Sequence, residues 1–309
     1  MLTMDNKRIL TRNLIRKKRI EEIDLLRGIP IFLVVLYHFC WSFNELPYLF
    51  SNVGEMLVRY PNIQDFLIFL NNDILGGKNT FIQDYVVPSI GGLFIFVCGI
   101  SCILSRSNVR RCLLLWSVSL AISVGTFLVT YISGADCYID WGVIHLMAFS
   151  VTIYAILEAI YHKFHKQVPI WLCLTIAGLI FISSLFLYCG FNPFTFSHFT
   201  PWYTKVISGI PPKRYDSISG FFLQVCGKYA GAIDWWPILP YTGVFFLGAA
   251  LGKMLYGKKK ESKFPRMKSL YIFRPLCFIG RHTIWVYVLH QPVIIVVLFI
   301  IFSIMGFKL

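Results

Sequence analysis

Uncharged apolar stretches alternate with short charged segments along this chain, and seven of them approach or reach spanning length: 28–44, 85–105, 112–135, 141–157, 168–190, 235–252 and 282–307. A helix rises about 1.5 Å per residue, so roughly 20 apolar residues cross a hydrocarbon core of about 30 Å. The pattern predicts an all-α, polytopic membrane helix bundle of about seven transmembrane helices. The apolar run 217–227 is too short to span and reads as re-entrant or interfacial. A basic tail, 1–27, precedes a single transmembrane domain, 28–307, in which no internal repeat is visible. Its long loops are 46–83, with an amphipathic piece around Ile63–Leu70, and 191–234, where Phe191, Phe194, Phe196, Phe199, Trp202 and Tyr203 precede Trp235 and Trp236. Long loops on a helical scaffold often carry recognition; an aromatic belt at headgroup level is the alternative for any one of these rings.

Composition strengthens the membrane reading: 57% of residues are hydrophobic and only 14% are charged. The net charge of +14 raises the question of nucleic acid, and its distribution excludes that class. With the N-terminus inside, 21 of the 29 Lys and Arg fall on the cytoplasmic side, whereas the opposite loops hold six basic residues against nine acidic ones. The positive-inside rule therefore predicts a cytoplasmic N-terminus, outer loops 46–83 and 191–234, and residence as a multi-pass protein of the cytoplasmic (plasma) membrane. Lys258, Lys259, Lys260 and Lys263 read as a topogenic, lipid-facing cluster. The run after the tail reaches spanning length without a small-residue cleavage site, so it is not a removable signal. The nine cysteines form no Cys-x-x-Cys pair, and His162 with His165 lacks a third ligand nearby, so no metal site is expected.

Candidate chemistry starts with Arg27 and His38. Eleven residues make about three turns and about 16 Å of rise, placing a cation at the membrane surface below an imidazole near mid-membrane on one helix stripe. Ionisable groups in hydrocarbon are costly and usually mark substrate or proton pathways; a snorkelling Arg and a neutral His bonded to a neighbouring helix are the bland alternative. By the same arithmetic, His290 lies about 12 Å above His282, and His145 about 7 Å below Asp140. His38, His145 and His290 are thus the candidate catalytic residues, since neutral imidazoles can take protons from an amine or hydroxyl. At the cytoplasmic rim, Arg27, Arg106, Arg110 and Arg281, together with Ser101, are candidates for binding phosphates. Asp84, Asp234 and Trp236 on the outer loops are the candidate acceptor-binding residues. Small residues Gly91, Gly92, Gly99 and Ser101, then Gly243, Gly248, Ala249, Ala250 and Gly252, suit close helix packing or a narrow slot for an extended ligand.

Several of these residues resemble a family. Glu22-Ile-Asp24-Leu-Leu-Arg27-Gly28-Ile with His38 is similar to the first helix of type-3 membrane acyltransferases. More closely, Phe96-Val-Cys-Gly99-Ile-Ser101, the Ser105–Arg111 turn, Trp141-Gly142-Val-Ile-His145, the Trp236–Gly248 segment and Gly280-Arg281-His282 with Tyr287-Val-Leu-His290-Gln291-Pro292 resemble the bacterial branch of the heparan-α-glucosaminide N-acetyltransferase catalytic-domain family. The resemblance covers nearly all of residues 20–295. It implies an acyltransferase that uses cytoplasmic acetyl-CoA as co-substrate and modifies an extracytoplasmic glycan or glycolipid, with Arg27, Arg106 and Arg281 on CoA phosphates and His38 as acid/base or transient acyl carrier. The lysosomal branch carries its proposed catalytic His in the loop after the first helix. This chain has no His between His38 and His145, so either His38 takes the role or the mechanism differs. The rival class is a proton-coupled transporter or flippase with the three imidazoles as a relay. The choice between amine and hydroxyl is open, as is association into a homodimer.

Overall fold

The computed structural model describes residues 20–43, 46–75, 85–134, 137–189, 218–226, 234–257, 261–264 and 271–308. Among them it is helical throughout, with no strand beyond an isolated bridge between Gly142 and Trp235. The long helices are α1 (Glu21–Ser42), α5 (Val87–Leu104), α6 (Asn108–Ser133), α7 (Val143–Lys163), α8 (Ile170–Cys189), α10 (Ile238–Tyr256) and α12 (Thr283–Ile304). Six are long and apolar enough to cross a membrane, and α8 contributes the shorter apolar stretch Ile170–Phe186. Short helices α2 (Leu46–Leu49), α3 (Val53–Arg59), α4 (Pro61–Phe69), α9 (Ile218–Cys226) and α11 (Arg274–Arg281) complete the set.

Local chemistry sets several boundaries. Ser107 caps α6 by accepting from the Arg110 N–H, and Gly134 ends that helix at φ 73°, a left-handed conformation that glycine adopts without a Cβ clash. Pro275 stands in the first turn of α11, where a missing N–H costs nothing, and the chain turns at His282 before α12 begins. The stretch expected to start at 282 is therefore preceded by a separate, strongly amphipathic helix. The loop 46–83 also differs from its expectation: much of its described part is helical, α2 to α4 followed by a π turn at Leu70–Ile74.

The main core lies where α10 crosses α5, with α7 and α8 beside it; Phe245, Phe246, Ile95, Leu146 and Val151 are all buried there. Small residues bring the α5 and α10 backbones into contact. A Cβ on Gly99 would collide with the Phe245 carbonyl, one on Gly248 with the Phe96 carbonyl, and one on Gly252 would lie 2.9 Å from Ile100 Cα. At Gly99, Gly248 and Gly252 the small residues thus serve packing, with opposing backbone where an extended ligand would lie. A second core joins α2–α4 to the far end of α12: Phe50 stacks on Phe299 at 5.6 Å, the Ser51 N–H donates to Lys308 O (2.8 Å), and the Lys308 N–H donates to Asn52 Oδ1 (2.7 Å). Elsewhere α6 and α12 expose continuous apolar faces, including Leu113, Leu120, Val124, Val296 and Ile300, as helices do that are solvated by lipid.

Candidate active site

At the Arg27 end of the bundle a cavity of about 520 Å³ opens between α1, α5, α6, α7, α11 and α12, within the ~300–1,000 Å³ range of small-molecule sites. Its wall carries Asp24, Arg27, Ser101, Arg111 and Arg281, and it runs inward past Cys98 to Phe94 and Met147. Asp24 organises the cations. One carboxylate oxygen accepts from Arg281 Nε at 3.0 Å, and the other lies 3.9 Å from an Arg27 nitrogen. Arg27 Nε in turn donates to Ser101 Oγ (2.9 Å), which ties α1 to α5. Arg111 reaches into the wall from α6, its guanidinium donating to Cys98 Sγ (3.2 Å) and Cys102 Sγ (3.5 Å). Sulfur is a weak acceptor, so Arg111 keeps hydrogen-bonding capacity for a stronger anion. Three guanidiniums around one carboxylate leave the cavity cationic, and planar guanidinium forks suit phosphate oxygens.

This arrangement depends on a close approach of α11 to α1. A Cβ on Gly28 would strike the Leu276 carbonyl, and one on Gly280 the Asp24 carbonyl. Only glycine at both positions lets α11 lie flat enough to deliver Arg281 to Asp24. Glu22 fixes the same end by accepting from the Lys263 N–H (2.6 Å) and from Ser262 Oγ (2.8 Å).

Deeper in the bundle, His38 on α1 and His290 on α12 meet edge to face with ring centroids 4.9 Å apart. The surroundings select one tautomer for each ring. His290 Nδ1 lies 2.6 Å from the Tyr287 carbonyl, which can only accept, so Nδ1 carries the hydrogen and Nε2 the lone pair. His38 Nδ1 is 3.2 Å from Gln291 Oε1, and Gln291 is oriented because its amide nitrogen donates to Ser42 Oγ at 3.2 Å. Both Nε2 atoms are therefore left basic. His290 Nε2 is buried and has no hydrogen-bond partner among the described residues.

Tyr287 connects these imidazoles to their surroundings. Its ring stacks on Phe94 of the cavity wall (6.4 Å, 17°), and its hydroxyl donates to Asp234 Oδ2 at 2.5 Å. Asp234 Oδ1 accepts from Trp236 Nε1 (3.2 Å). Burial pushes the Asp234 carboxyl up to about 6, with the Tyr287 and Trp236 hydrogen bonds pulling the other way. Asp234 adopts φ 58°, and a Cβ on the adjoining Gly142 would lie 2.6 Å from its Oδ2. Trp141 Nε1 donates to the Trp236 carbonyl (2.9 Å), locking the same corner to the start of α7.

Of the sequence candidates, Arg27, Ser101 and Arg281 share the cavity wall, and His38 and His290 form the imidazole pair. Arg106 and Arg110 are exposed on the α5–α6 turn and do not line the cavity; Arg111, one residue on, does. His145 is separate from the pair. Its Nδ1 accepts from the Gly142 N–H (3.2 Å), capping the start of α7, and Nε2 donates to Ser123 Oγ (3.0 Å), tying α7 to α6. Asp234 and Trp236 come together, but their polar atoms face each other and their neighbours in one closed network. Asp84 and the aromatic cluster from Phe191 to Tyr203 lie outside the described residues. Asp24, Arg111, Tyr287 and Gln291 join the site without having been singled out as site residues from sequence.

Fold and site define an integral-membrane helical bundle in which a cationic cavity adjoins a pair of imidazoles, His290 buried and His38 half-buried. The chain belongs to the family described as heparan-alpha-glucosaminide N-acetyltransferase, catalytic, matching it over residues 19–76 and 69–292. That family is one of membrane acetyltransferases, as the resemblance in the motifs implied. Neither the curated proteins nor the solved structures provide a match.

Proposed function

We propose that the protein transfers an acetyl group from acetyl-CoA, held at the cytoplasmic face, to a sugar amine or hydroxyl of a glycan or glycolipid on the far side of the plasma membrane. The observation that carries this reading is the contiguity of cavity and imidazoles: Phe94 lines the cavity, stacks on Tyr287, and Tyr287 bonds His290, which meets His38. Donor phosphates at Arg27, Arg111 and Arg281 would leave the thin pantetheine arm to follow the cavity inward. The rise of about 16 Å from Arg27 to His38 suits that arm. Arg106 and Arg110 are left for the most solvated part of the donor.

In the chemical step the acceptor nitrogen or oxygen attacks the thioester carbonyl while an imidazole Nε2 takes its proton. The new C–N or C–O bond forms, the C–S bond breaks, and the departing CoA sulfur recovers the proton from the imidazolium. Preorganised tautomers favour this role, because no proton has to be moved within the site before the base can act. The acceptor approaches from the side of Asp234 and Trp236.

The test is purified full-length protein in liposomes with labelled acetyl-CoA and a panel of amino sugars and neutral glycans. Transfer of label to a sugar on the face opposite the donor supports the proposal. Coupled proton and sugar flux without acetylation would instead favour the transporter class.

A further inference from the structure

Among the buried groups that the proposed reaction leaves unexplained, the Asp234–Tyr287 pair is the most tightly built. Asp234 receives a donor on each carboxylate oxygen, Tyr287 on one and Trp236 on the other, so that it joins α12 to the start of α10. A carboxylate bonded in this way fixes whatever it holds, since each lost bond would strand a buried polar group. What it holds is Tyr287 by its hydroxyl, and Tyr287 holds His290 Nδ1 by its carbonyl. One residue therefore links the carboxylate to the imidazole through its side chain on one end and its main chain on the other. The helix is weakened at that level. Pro292 has no N–H for the Val288 carbonyl four residues earlier, so the turn carrying His290 lacks one of its own ladder bonds. An external anchor at Tyr287 compensates for this loss.

Resting on the acyl-transfer reading, we infer that Asp234 and Tyr287 are positioning residues for His290, holding its Nδ1 hydrogen on the Tyr287 carbonyl so that the buried Nε2 is the proton acceptor for the incoming amine or hydroxyl. The proton passes from acceptor to Nε2, the imidazolium that results keeps its Nδ1–H bond, and the Asp234 carboxylate faces the new positive charge through the same residue. His38, bonded to Gln291 on the neighbouring position, completes the pair without sharing this anchor. Asp234 thus serves the catalytic imidazole and makes no direct contact with the acceptor.

The experiment uses the full chain in lipid nanodiscs with Tyr287→Phe, which keeps the ring on Phe94, and Asp234→Asn, whose amide NH₂ must oppose one of the two donors. Acetyl transfer from acetyl-CoA to glucosamine, CoA binding, and ¹⁵N-histidine NMR are measured on each, with His290 assigned by comparison with His290→Gln. Expected are a kcat lower by about 10–100-fold in both variants, short of the ~10²–10⁴-fold loss of a general base itself, with CoA affinity within about twofold. The NMR signature should change from a single Nδ1–H tautomer at His290 in the unaltered protein to a mixture in the variants. A reversed tautomer in the unaltered protein, or variants with unchanged tautomer, overturns the inference; so does altered tautomer with unchanged kcat. The tautomer needs no substrate, so failure of the acyl-transfer reading shows separately, as CoA binding or acetyl transfer absent from the unaltered protein.

Discussion

Asp24 offers one carboxylate oxygen to Arg281 and the other to Arg27, so the charge that would bind donor phosphates is held in place by a countercharge of its own. Removing either end of the proposed path should fail differently. Arg27→Ala should raise KM for acetyl-CoA with a modest change in kcat, whereas His38→Ala or His290→Gln should lower kcat by about 10²–10⁴-fold in whichever variant removes the base, as steady-state kinetics will show. Asp234 adds a pH dependence whose sign follows from its environment. Burial raises its carboxyl from 3.8 to about 6, so the fold favours the protonated form. The associated stability is complete below about pH 4 and is lost as pH rises through about 6. Thermal unfolding in detergent from pH 4 to 8 should show the unaltered protein losing stability relative to Asp234→Asn across that window. At this scale the sequence was informative where a charge or imidazole interrupts an apolar run, as at Arg27, His38 and His290. It was not informative where helix phase decides. Arg110 and Arg111 are equivalent in composition, and the Ser107 cap together with Asn108 bonded to the Cys102 carbonyl sets the start of the helix from which Arg111 reaches Cys98.

Between elements, the contact of α11 with α1 governs the site. A methyl group on Gly280 meets the Asp24 backbone, which cannot move aside as a flexible side chain would. Gly280→Ala should therefore cost about 1–3 kcal/mol by overpacking and lower CoA affinity, because α11 carries Arg281; thermal unfolding and equilibrium binding measure both. The long apolar helices were legible because spanning length and lack of charge leave few alternatives. Of the short ones, α4 showed as the amphipathic piece around Ile63–Leu70, but α2 and α3 have 4 and 7 residues, too few for a helical period to stand out from a loop. Tyr287 and Gln291 escaped for the opposite reason, since α12 is apolar nearly all round and no face is marked. His145 did leave a signal: an acceptor side chain three residues after Gly142 fits a helix cap as well as it fits a catalytic role.

For the whole molecule, the charge distribution and the family agree on a membrane enzyme, and orientation is the property to establish next. In intact cells, cysteines introduced in 191–234 should react with an impermeant reagent, while one near Lys259 should be protected; the reverse pattern would invert the proposed topology. The loops that the charge distribution assigns to the outside carry six basic residues against nine acidic ones, which in the proposed topology disfavours a sulfated polyanion as acceptor. Sulfated oligosaccharides should accordingly inhibit weakly at all ionic strengths. Strong inhibition that fades with salt, with no transfer to neutral or amino sugars, would reverse that conclusion.

The stacked rings of Phe94 and Tyr287 stand between a water-accessible, charged chamber and the imidazole pair. A protein of the proposed function, passing an acyl group through a bilayer, would also risk letting protons through, and two stacked apolar rings are an insulator. The stack should therefore act as a seal that opens for the acyl arm alone. Phe94→Ala should make proteoliposomes dissipate a pH gradient faster and should let the protein hydrolyse acetyl-CoA when no acceptor is present; a variant as tight to protons as the unaltered protein would show that the stack does not seal the path.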